Sequence, residues 1–274
     1  MFQLLALTTL ACGAWLQAPR LEEFARQVAS LNISGHSFRV TARIKRLPGT
    51  RDPDFGETVA AVEIRDAAGR VHFRRTLPYE VAGERFAETA GVEARAIGGR
   101  GLLLTYSFLP SAPLGGDSWQ VLGMIGGRLV PFSKPIGVYG TLRRAGEDAL
   151  EFGVWTTNFF VIVPVALDWD KGRLIPPLAG RQFGVEAERR PPEEAAEIRL
   201  FPRPGAAAAA RVAVRKDSAV EFLAAQATLR WEEQEEEIGL DVSEEVWLKV
   251  CVDGKEGWMQ GEADFHAIGL PSAG

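Results

Sequence analysis

The sequence predicts a mostly β fold, with an N-terminal β-sandwich-like domain that carries one short helix and a C-terminal small β-barrel. Two observations predict this architecture. Runs of alternating apolar and polar residues recur along most of the chain, and short segments rich in Gly, Asp and Pro separate them. Regular spacing of this kind is typical of sandwiches and barrels built from short antiparallel strands.

Composition limits the function classes. The 274 residues are 46% hydrophobic and 24% charged, which is typical of a globular protein long enough for two ordinary domains. The net charge of −5 and the lack of a basic stripe in the sequence argue against a nucleic-acid partner. After residue 18, no stretch of the sequence is long and apolar enough for a transmembrane helix, so we expect no stable membrane span.

The first residues read as an export signal. Residues 2–16 are apolar and almost uncharged, which matches a signal-peptide core and is too short for a spanning helix. We therefore expect residues 1–18 to be a signal peptide, without the usual basic start, and the protein to be secreted or periplasmic. A lipid anchor at Cys12 is the less favoured alternative, because Leu10 lies two residues before the cysteine instead of three.

The predicted elements of the domain at 19–185 begin with a helix. Apolar residues at 21, 24, 25, 28 and 31 have helical spacing, and Pro19 lies near the expected first turn. Residues 37–46 alternate strictly, which predicts a half-buried strand. Further strands are predicted at 57–65, 70–77, 101–109, 118–125, 128–133, 149–155 and 159–167. Short turns at 66–69, 126–127 and 170–172 are expected to close hairpins.

The composition changes after residue 185. Charged residues, prolines and alanines at 186–205 predict a linker, although 198–201 could form a strand within it. Beyond it, apolar residues alternate at 246, 248, 250 and 252. Asp253-Gly254 then supplies the positive φ angles of a tight type I′ hairpin turn, and Lys-Glu-Gly-Trp follows at 255–258.

The block from Leu248 to Trp258 resembles the distal hairpin of bacterial SH3-like (SH3b) domains, small β-barrels often appended to cell-envelope proteins as binding modules. The resemblance implies that residues 206–274 form such a barrel, with early strands at 219–231 and with Trp258 as a buried anchor. It also implies a closing 3₁₀ turn and last strand at 261–270. An acidic run at 231–237 departs from the family's short loop, and we interpret it as a solvated loop rather than a cation-binding surface.

No catalytic group, cofactor or metal is predicted. The three histidines lack a nucleophile motif, His72 reads as a surface strand residue, and a Cys251–His266 pair is disfavoured because Cys251 fits a packed strand position. Spacings typical of zinc ligands are missing, and the glycine-rich turns at 98–101 and 126–128 lack the ending of a phosphate-binding loop. Asp168 and Asp170 flank a tryptophan as a sugar site could, but a hairpin turn with a packed ring explains them better.

Seven tryptophans suggest ligand stacking, because a flat ring covers apolar area at low entropic cost. The candidate binding residues are Trp155, Trp169, Trp231 and Trp247. We expect an exported, non-catalytic binding protein of the bacterial cell envelope, whose SH3-like module docks to cell-wall glycan or peptide or to an envelope protein. Two alternatives stay open at this point: an envelope hydrolase tethered by the module, and a structural component of an envelope assembly.

Overall fold

Antiparallel strands make up nearly all of the regular structure, which confirms the all-β prediction. A computed structural model of the chain describes residues 22–46, 57–77, 89–108, 117–178, 180–207 and 209–271. The first strands are β1 (Glu22–Ile33), β2 (His36–Arg46), β3 (Glu57–Asp66), β4 (Val71–Thr76), β5 (Thr89–Ile97), β6 (Gly101–Phe108), β7 (Ser118–Ile125), β8 (Arg128–Pro131), β9 (Ile136–Val138) and β10 (Gly140–Ala145). They are followed by β11 (Ala149–Trp155), β12 (Phe160–Asp168), β13 (Arg173–Ile175), β14 (Gln182–Glu186), β15 (Ala196–Leu200), β16 (Ala210–Val214), β17 (Val220–Glu233), β18 (Ile238–Val252), β19 (Lys255–Gln260) and the helix α1 (Glu262–Ala267).

The strands form one small sheet, one large sheet and one separate pair. The small sheet has the order β1-β2-β3-β4, and the pair is β15-β16. The large sheet runs β10-β11-β12-β14-β17-β18-β9-β7-β6-β5, with β13, β19 and β8 beside β12, β18 and β7. The large sheet curls until it is nearly closed, like a barrel.

The predicted strands are confirmed within a few residues at each end. Alternation at 37–46 gives β2, and the seven further predicted runs give β3, β4, β6, β7, β8, β11 and β12. The three predicted turns join antiparallel neighbours as hairpins. At the C-terminal hairpin Asp253 has φ 47° and Gly254 has φ 81°, as a type I′ turn requires.

The predicted helix at 19–31 is wrong: residues 22–33 form strand β1, which pairs with β2 along its length. A β-bulge between Gln27 and Ala29 explains the error. The bulge shifts the alternation by one residue, so that Phe24, Val28, Ala29 and Leu31 all face the core. The core-facing residues on either side of the bulge are therefore spaced three or four positions apart, as apolar residues are on one face of a helix.

Two hydrophobic clusters lie on opposite faces of β5, β6 and β7. Leu102, Leu104 and Tyr106 pack with the small sheet, whereas Leu103 and Trp119 belong to the larger cluster inside the curled sheet. Trp119 reaches Phe152 of β11 across that interior, with ring centroids 5.3 Å apart. Strand β6 is therefore buried on both faces, which agrees with its uninterrupted apolar run.

Strand pairing crosses the boundary predicted at 186–205. Strand β14 pairs with β17, and β9 pairs in parallel with β18, so hydrogen bonds join the two predicted domains within one sheet. Inside the predicted linker, Ile198 and Leu200 of β15 are buried in the larger cluster. The division into separately folding domains stays a prediction, and this pairing leads us to expect one cooperative unit.

The end of the chain differs from the expected 3₁₀ turn and last strand. Residues Glu262–Ala267 form the α-helix α1, and among the described residues none after it belongs to a strand. The buried Asp264 of this helix accepts hydrogen bonds from the guanidinium of Arg199, at 3.1 and 3.2 Å. Phe265 packs edge-on against Phe159, with centroids 5.6 Å apart. The helix thus covers the larger cluster.

Candidate functional site

Two of the four candidate tryptophans are used in packing. The Trp169 ring meets Phe132 edge-on at 5.1 Å, and its Nε1 donates a hydrogen bond of 2.8 Å to the Glu147 carbonyl. A Cβ at Gly101 would lie 2.7 Å from this ring, so the glycine allows the close approach. Trp231 stands directly opposite the buried Leu240 and packs against the larger cluster.

The other two, Trp155 and Trp247, are half-buried and belong to neither cluster. Trp155 lies directly opposite Phe160 on β12, with ring centroids 4.7 Å apart. Trp247 meets Phe201 edge-on at 5.4 Å. Each tryptophan is therefore held by a second aromatic ring on the side of the sheet that faces away from the larger cluster.

The strand register places both tryptophans on one continuous face. Residues directly opposite each other, and residues two apart on one strand, point to the same side of a sheet. Three cross-strand rows follow from this rule: Trp155 with Phe160 and Glu186; Gly153 with Ile162 and Gly184; and Gln182 with Gln226, Trp247 and Gln260. We call these ten residues the aromatic face.

The aromatic face is long and nearly uncharged. Four strand steps separate β11 from β18, which corresponds to about 19 Å across the sheet at the usual strand spacing. Among the described residues, one cation lies against its rings: Arg143 is 4.6 Å from the Phe160 centroid and pairs with Glu186 at 2.9 Å. The face thus offers rings for stacking and three glutamine amides for hydrogen bonding.

Phe160 and the glutamines were not among the residues selected from the sequence. The pair Phe159-Phe160 could have predicted an exposed ring. Consecutive residues of a strand point to opposite faces, so one of the two rings must lie outside the core. Phe159 is buried and Phe160 is half-buried on the aromatic face. The glutamines lie on strands that are distant in sequence, so only the sheet order brings them beside Trp247.

A groove, which we call the seam groove, lies where the two ends of the large sheet approach each other. It has a volume of about 210 Å³ and takes residues from β5, β6, β7 and β10. Its lining residues include Glu93 and Asp117, together with Arg95, Thr105 and the buried Trp119. Two acids therefore share one groove, which is the feature on which the hydrolase alternative depends.

His72 is not a surface residue, contrary to the sequence-based expectation. Its side chain is only 3% exposed. The Nδ1 atom accepts a hydrogen bond of 3.3 Å from the Leu129 amide of β8, and Nε2 lies 2.9 Å from Asp66 Oδ2. This arrangement fixes the tautomer with hydrogen on Nε2 and ties the small sheet to the large one.

Acid titration of Asp66 is expected to weaken this connection. The hydrogen bond from His72, aided by Arg70, lowers the pKa of Asp66 to about 2. An unfolded Asp titrates at about 4, so the stabilisation is complete above that pH and disappears as the pH falls through about 2. The difference in melting temperature between wild type and Asp66→Asn should therefore be largest above pH 4. It should shrink as the pH is lowered further. A difference that stays constant from pH 6 to pH 2 would contradict this.

The acidic run at 231–237 forms the end of β17 and the turn into β18. Lys134 donates a 2.7 Å hydrogen bond to the Gln234 carbonyl, and Arg75 donates one of 2.9 Å to the Glu236 carbonyl. Burial raises the pKa of Glu237, while the charge of Arg75 opposes this rise. The run is thus fastened to the rest of the fold by two cations of the same chain.

The described part of the chain contains no cluster of metal-ligating side chains and no paired cysteine. No group of three or more His, Cys, Asp or Glu residues there could hold a metal ion. Cys251 is half-buried beside the Lys249–Glu256 ion pair, and no contact joins it to His266 among those residues. None of the described helices has the length and apolar character that crossing a membrane requires.

Comparisons with known proteins add no relatives. No family model, no curated protein and no solved structure matches this chain. The SH3-like resemblance of residues 248–258 therefore stays a prediction, and functional inference depends on the geometry of the aromatic face and the grooves.

Proposed function

We propose that this protein is an exported, non-catalytic binding protein of the bacterial cell envelope whose aromatic face binds the glycan strand of peptidoglycan. The observation that carries the proposal is the register that places Trp155 and Trp247 on one face, each beside another ring. Trp247 belongs to the predicted SH3-like module and Trp155 does not, so the ligand would contact both parts of the chain.

The chemistry of the face favours a glycan. Aromatic rings cover the apolar faces of sugar rings, and glutamine amides both donate to and accept from hydroxyl groups. Arg143 and Glu186 neutralise each other, so the face has little to offer a strongly charged ligand. The two tryptophans are about 19 Å apart across the sheet, and their rows are four residues, about 13 Å, apart along β14. The resulting separation of roughly 23 Å requires an extended chain rather than a single sugar.

Co-sedimentation with purified peptidoglycan sacculi tests the proposal. Each of Trp155→Ala and Trp247→Ala should weaken binding about 30-fold, because removing an aromatic anchor from a binding surface typically costs about 2 kcal/mol. Trp155→Phe should retain much of the affinity, since a phenyl ring still stacks. Val71→Ala is the control, because Val71 is 42% exposed on the small sheet and lies outside the aromatic face.

The outcome separates the ligand classes. The proposal is supported if the wild type and Val71→Ala sediment with the sacculi and neither Trp155→Ala nor Trp247→Ala does. Equal binding by all four variants and the wild type contradicts it. Binding to stem peptides released from the sacculi, without binding to stripped glycan, would instead make the ligand a peptide.

Export is part of the proposal and depends on residues 1–18, which lie outside the described residues. The apolar stretch at 2–16 supports it. N-terminal sequencing of the mature protein from its native host should begin between Cys12 and Arg20. An intact Met1 in a cytosolic fraction would contradict export.

A second candidate function is hydrolysis of cell-wall polymers in the seam groove, favoured by the shared lining of Glu93 and Asp117. Dye-labelled sacculi distinguish it from simple binding. The hydrolase releases soluble dye, and Glu93→Gln or Asp117→Asn abolishes that release. The binding protein sediments with the sacculi and releases none. A structural component of an envelope assembly would neither release dye nor bind the sacculi.

A further inference from the structure

A groove in the small sheet, outside the aromatic face, contains an arginine, Arg39, that has no counter-ion among the described residues. The groove has a volume of about 450 Å³ and lies beside the turn that joins β3 to β4. Its polar lining comprises Ser30, Asn32, Ser37, Arg39, Arg65 and Asp66. We call it the arginine groove.

The strand register places the two arginines of the groove directly opposite each other. Ser30 of β1, Arg39 of β2 and Arg65 of β3 stand directly opposite one another in a single cross-strand row. Like charges at directly opposite positions destabilise a sheet. A negative charge placed between Arg39 and Arg65 would therefore stabilise this row.

The acids of the small sheet beside the groove do not supply that charge to Arg39. Glu63 pairs with Arg65 and with Arg74, the latter at 2.8 Å. Asp66 is held by His72 and by Arg70, at 2.9 and 3.0 Å. Within the described part of the chain, the Arg39 guanidinium makes neither an ion pair nor a hydrogen bond.

Arg65, by contrast, is fixed in position. Its Nε donates to Glu63 and its Nη1 donates to the Gly69 carbonyl at 3.0 Å. Those two bonds leave Nη2, the far side of the guanidinium fork, without a partner in the part of the protein that the structure describes. One positioned arginine and one unpaired arginine thus lie opposite each other in an open groove.

We propose that the arginine groove binds an oxyanion, the phosphate or carboxylate group of a small ligand, between Arg39 and Arg65. A guanidinium fork matches two oxygens of such a group, and charge-assisted hydrogen bonds of this kind are among the strongest in proteins. Ser30, Asn32 and Ser37 line the same groove, and their hydroxyl and amide groups are of the kind that donates hydrogen bonds to an oxyanion. The bound anion offsets the repulsion between the two arginines.

Isothermal titration of the full chain with inorganic phosphate, and separately with acetate, tests this proposal at constant ionic strength. Arg39→Gln should weaken binding roughly tenfold or more, the usual effect of losing a hydrogen bond to a charged group. Arg43→Gln is the matched control. Arg43 follows Arg39 by four residues on the same face of β2, but it already pairs with Glu23 at 3.1 Å. The Arg43→Gln variant should bind the anion as tightly as the wild type does.

Thermal unfolding provides a second measurement. In anion-free buffer Arg39→Gln should melt at or above the wild-type temperature, because the substitution removes the repulsion. The anion that binds should raise the melting temperature of the wild type and of Arg43→Gln but not that of Arg39→Gln.

Binding of phosphate alone, or of acetate alone, identifies the ligand group and supports the proposal. Three results overturn it: no binding of either anion, equal weakening by Arg39→Gln and Arg43→Gln, or an Arg39→Gln variant that is less stable in anion-free buffer. None of these results changes the expectation for sacculi, since the arginine groove and the aromatic face share no residue.

Discussion

Replacing Trp258 with alanine is expected to lower the free energy of unfolding by about 3–5 kcal/mol, as for other buried tryptophans. The ring is 5% exposed, and the backbone of Trp258 exchanges two hydrogen bonds with Phe201, at 2.7 and 2.8 Å. For a chain of this size the loss corresponds to a fall in melting temperature of roughly 6–20 °C. Differential scanning calorimetry of wild type and variant measures it.

The same experiment bears on domain organisation. The sequence alone leads to the expectation that only the module at 206–274 unfolds, because the predicted linker isolates it. The pairing of β14 with β17 and of β9 with β18 leads us to expect that one transition shifts as a whole. Trp258→Phe should lose less stability, since it keeps part of the apolar volume. An unchanged melting temperature in Trp258→Ala would contradict the buried anchor.

Phe159→Ala is expected to have a comparable effect, about 3–5 kcal/mol. Phe159 is 1% exposed, and its ring meets Phe265 of α1 edge-on. Next to it, Asn158 Nδ2 donates a 2.7 Å hydrogen bond to the Pro271 carbonyl, so the turn between β11 and β12 holds the end of the chain. Removing the ring leaves a cavity beneath α1.

A double-mutant cycle with Phe265→Ala isolates the contact between the two rings. An aromatic pair contributes about 0.5–1.5 kcal/mol beyond the burial of each ring, so the two substitutions should be less than additive by that amount. Urea unfolding of the four proteins gives the coupling energy. Strict additivity would mean that Phe159 and Phe265 do not share a packed core, and that α1 is not bound to the β11–β12 turn.

The hairpins could be predicted from the sequence because local chemistry determines them. Asp253-Gly254 specifies a turn through its positive φ angles, and the alternation at 37–46 specifies which face of β2 is buried. Strand β1 could not be predicted in the same way, because the bulge at residues 27–29 changes the phase of its alternation. Bulges depend on the partner strand, which a single segment does not reveal.

The aromatic face was only partly predictable. Seven tryptophans indicate stacking or packing, but the sequence does not show which side of a sheet each ring occupies. Trp169 fits beside Phe132 over a glycine, while Trp155 stands opposite Phe160 on the other side of the sheet. Only the strand order β11-β12-β14-β17-β18 shows that Trp155 and Trp247 lie on one face. Some neighbouring strands in this order are tens of residues apart in the sequence.

The central claim is that one extended chain contacts both tryptophans of the aromatic face. The affinity of the wild type for soluble glycan strands, stripped of stem peptides and fractionated by length, tests it most directly. Affinity should rise with length until a strand spans the roughly 23 Å between Trp155 and Trp247 and should then level off. In Trp247→Ala the dependence on length should disappear. A wild type that binds short and long strands equally, or binds neither, would contradict the account.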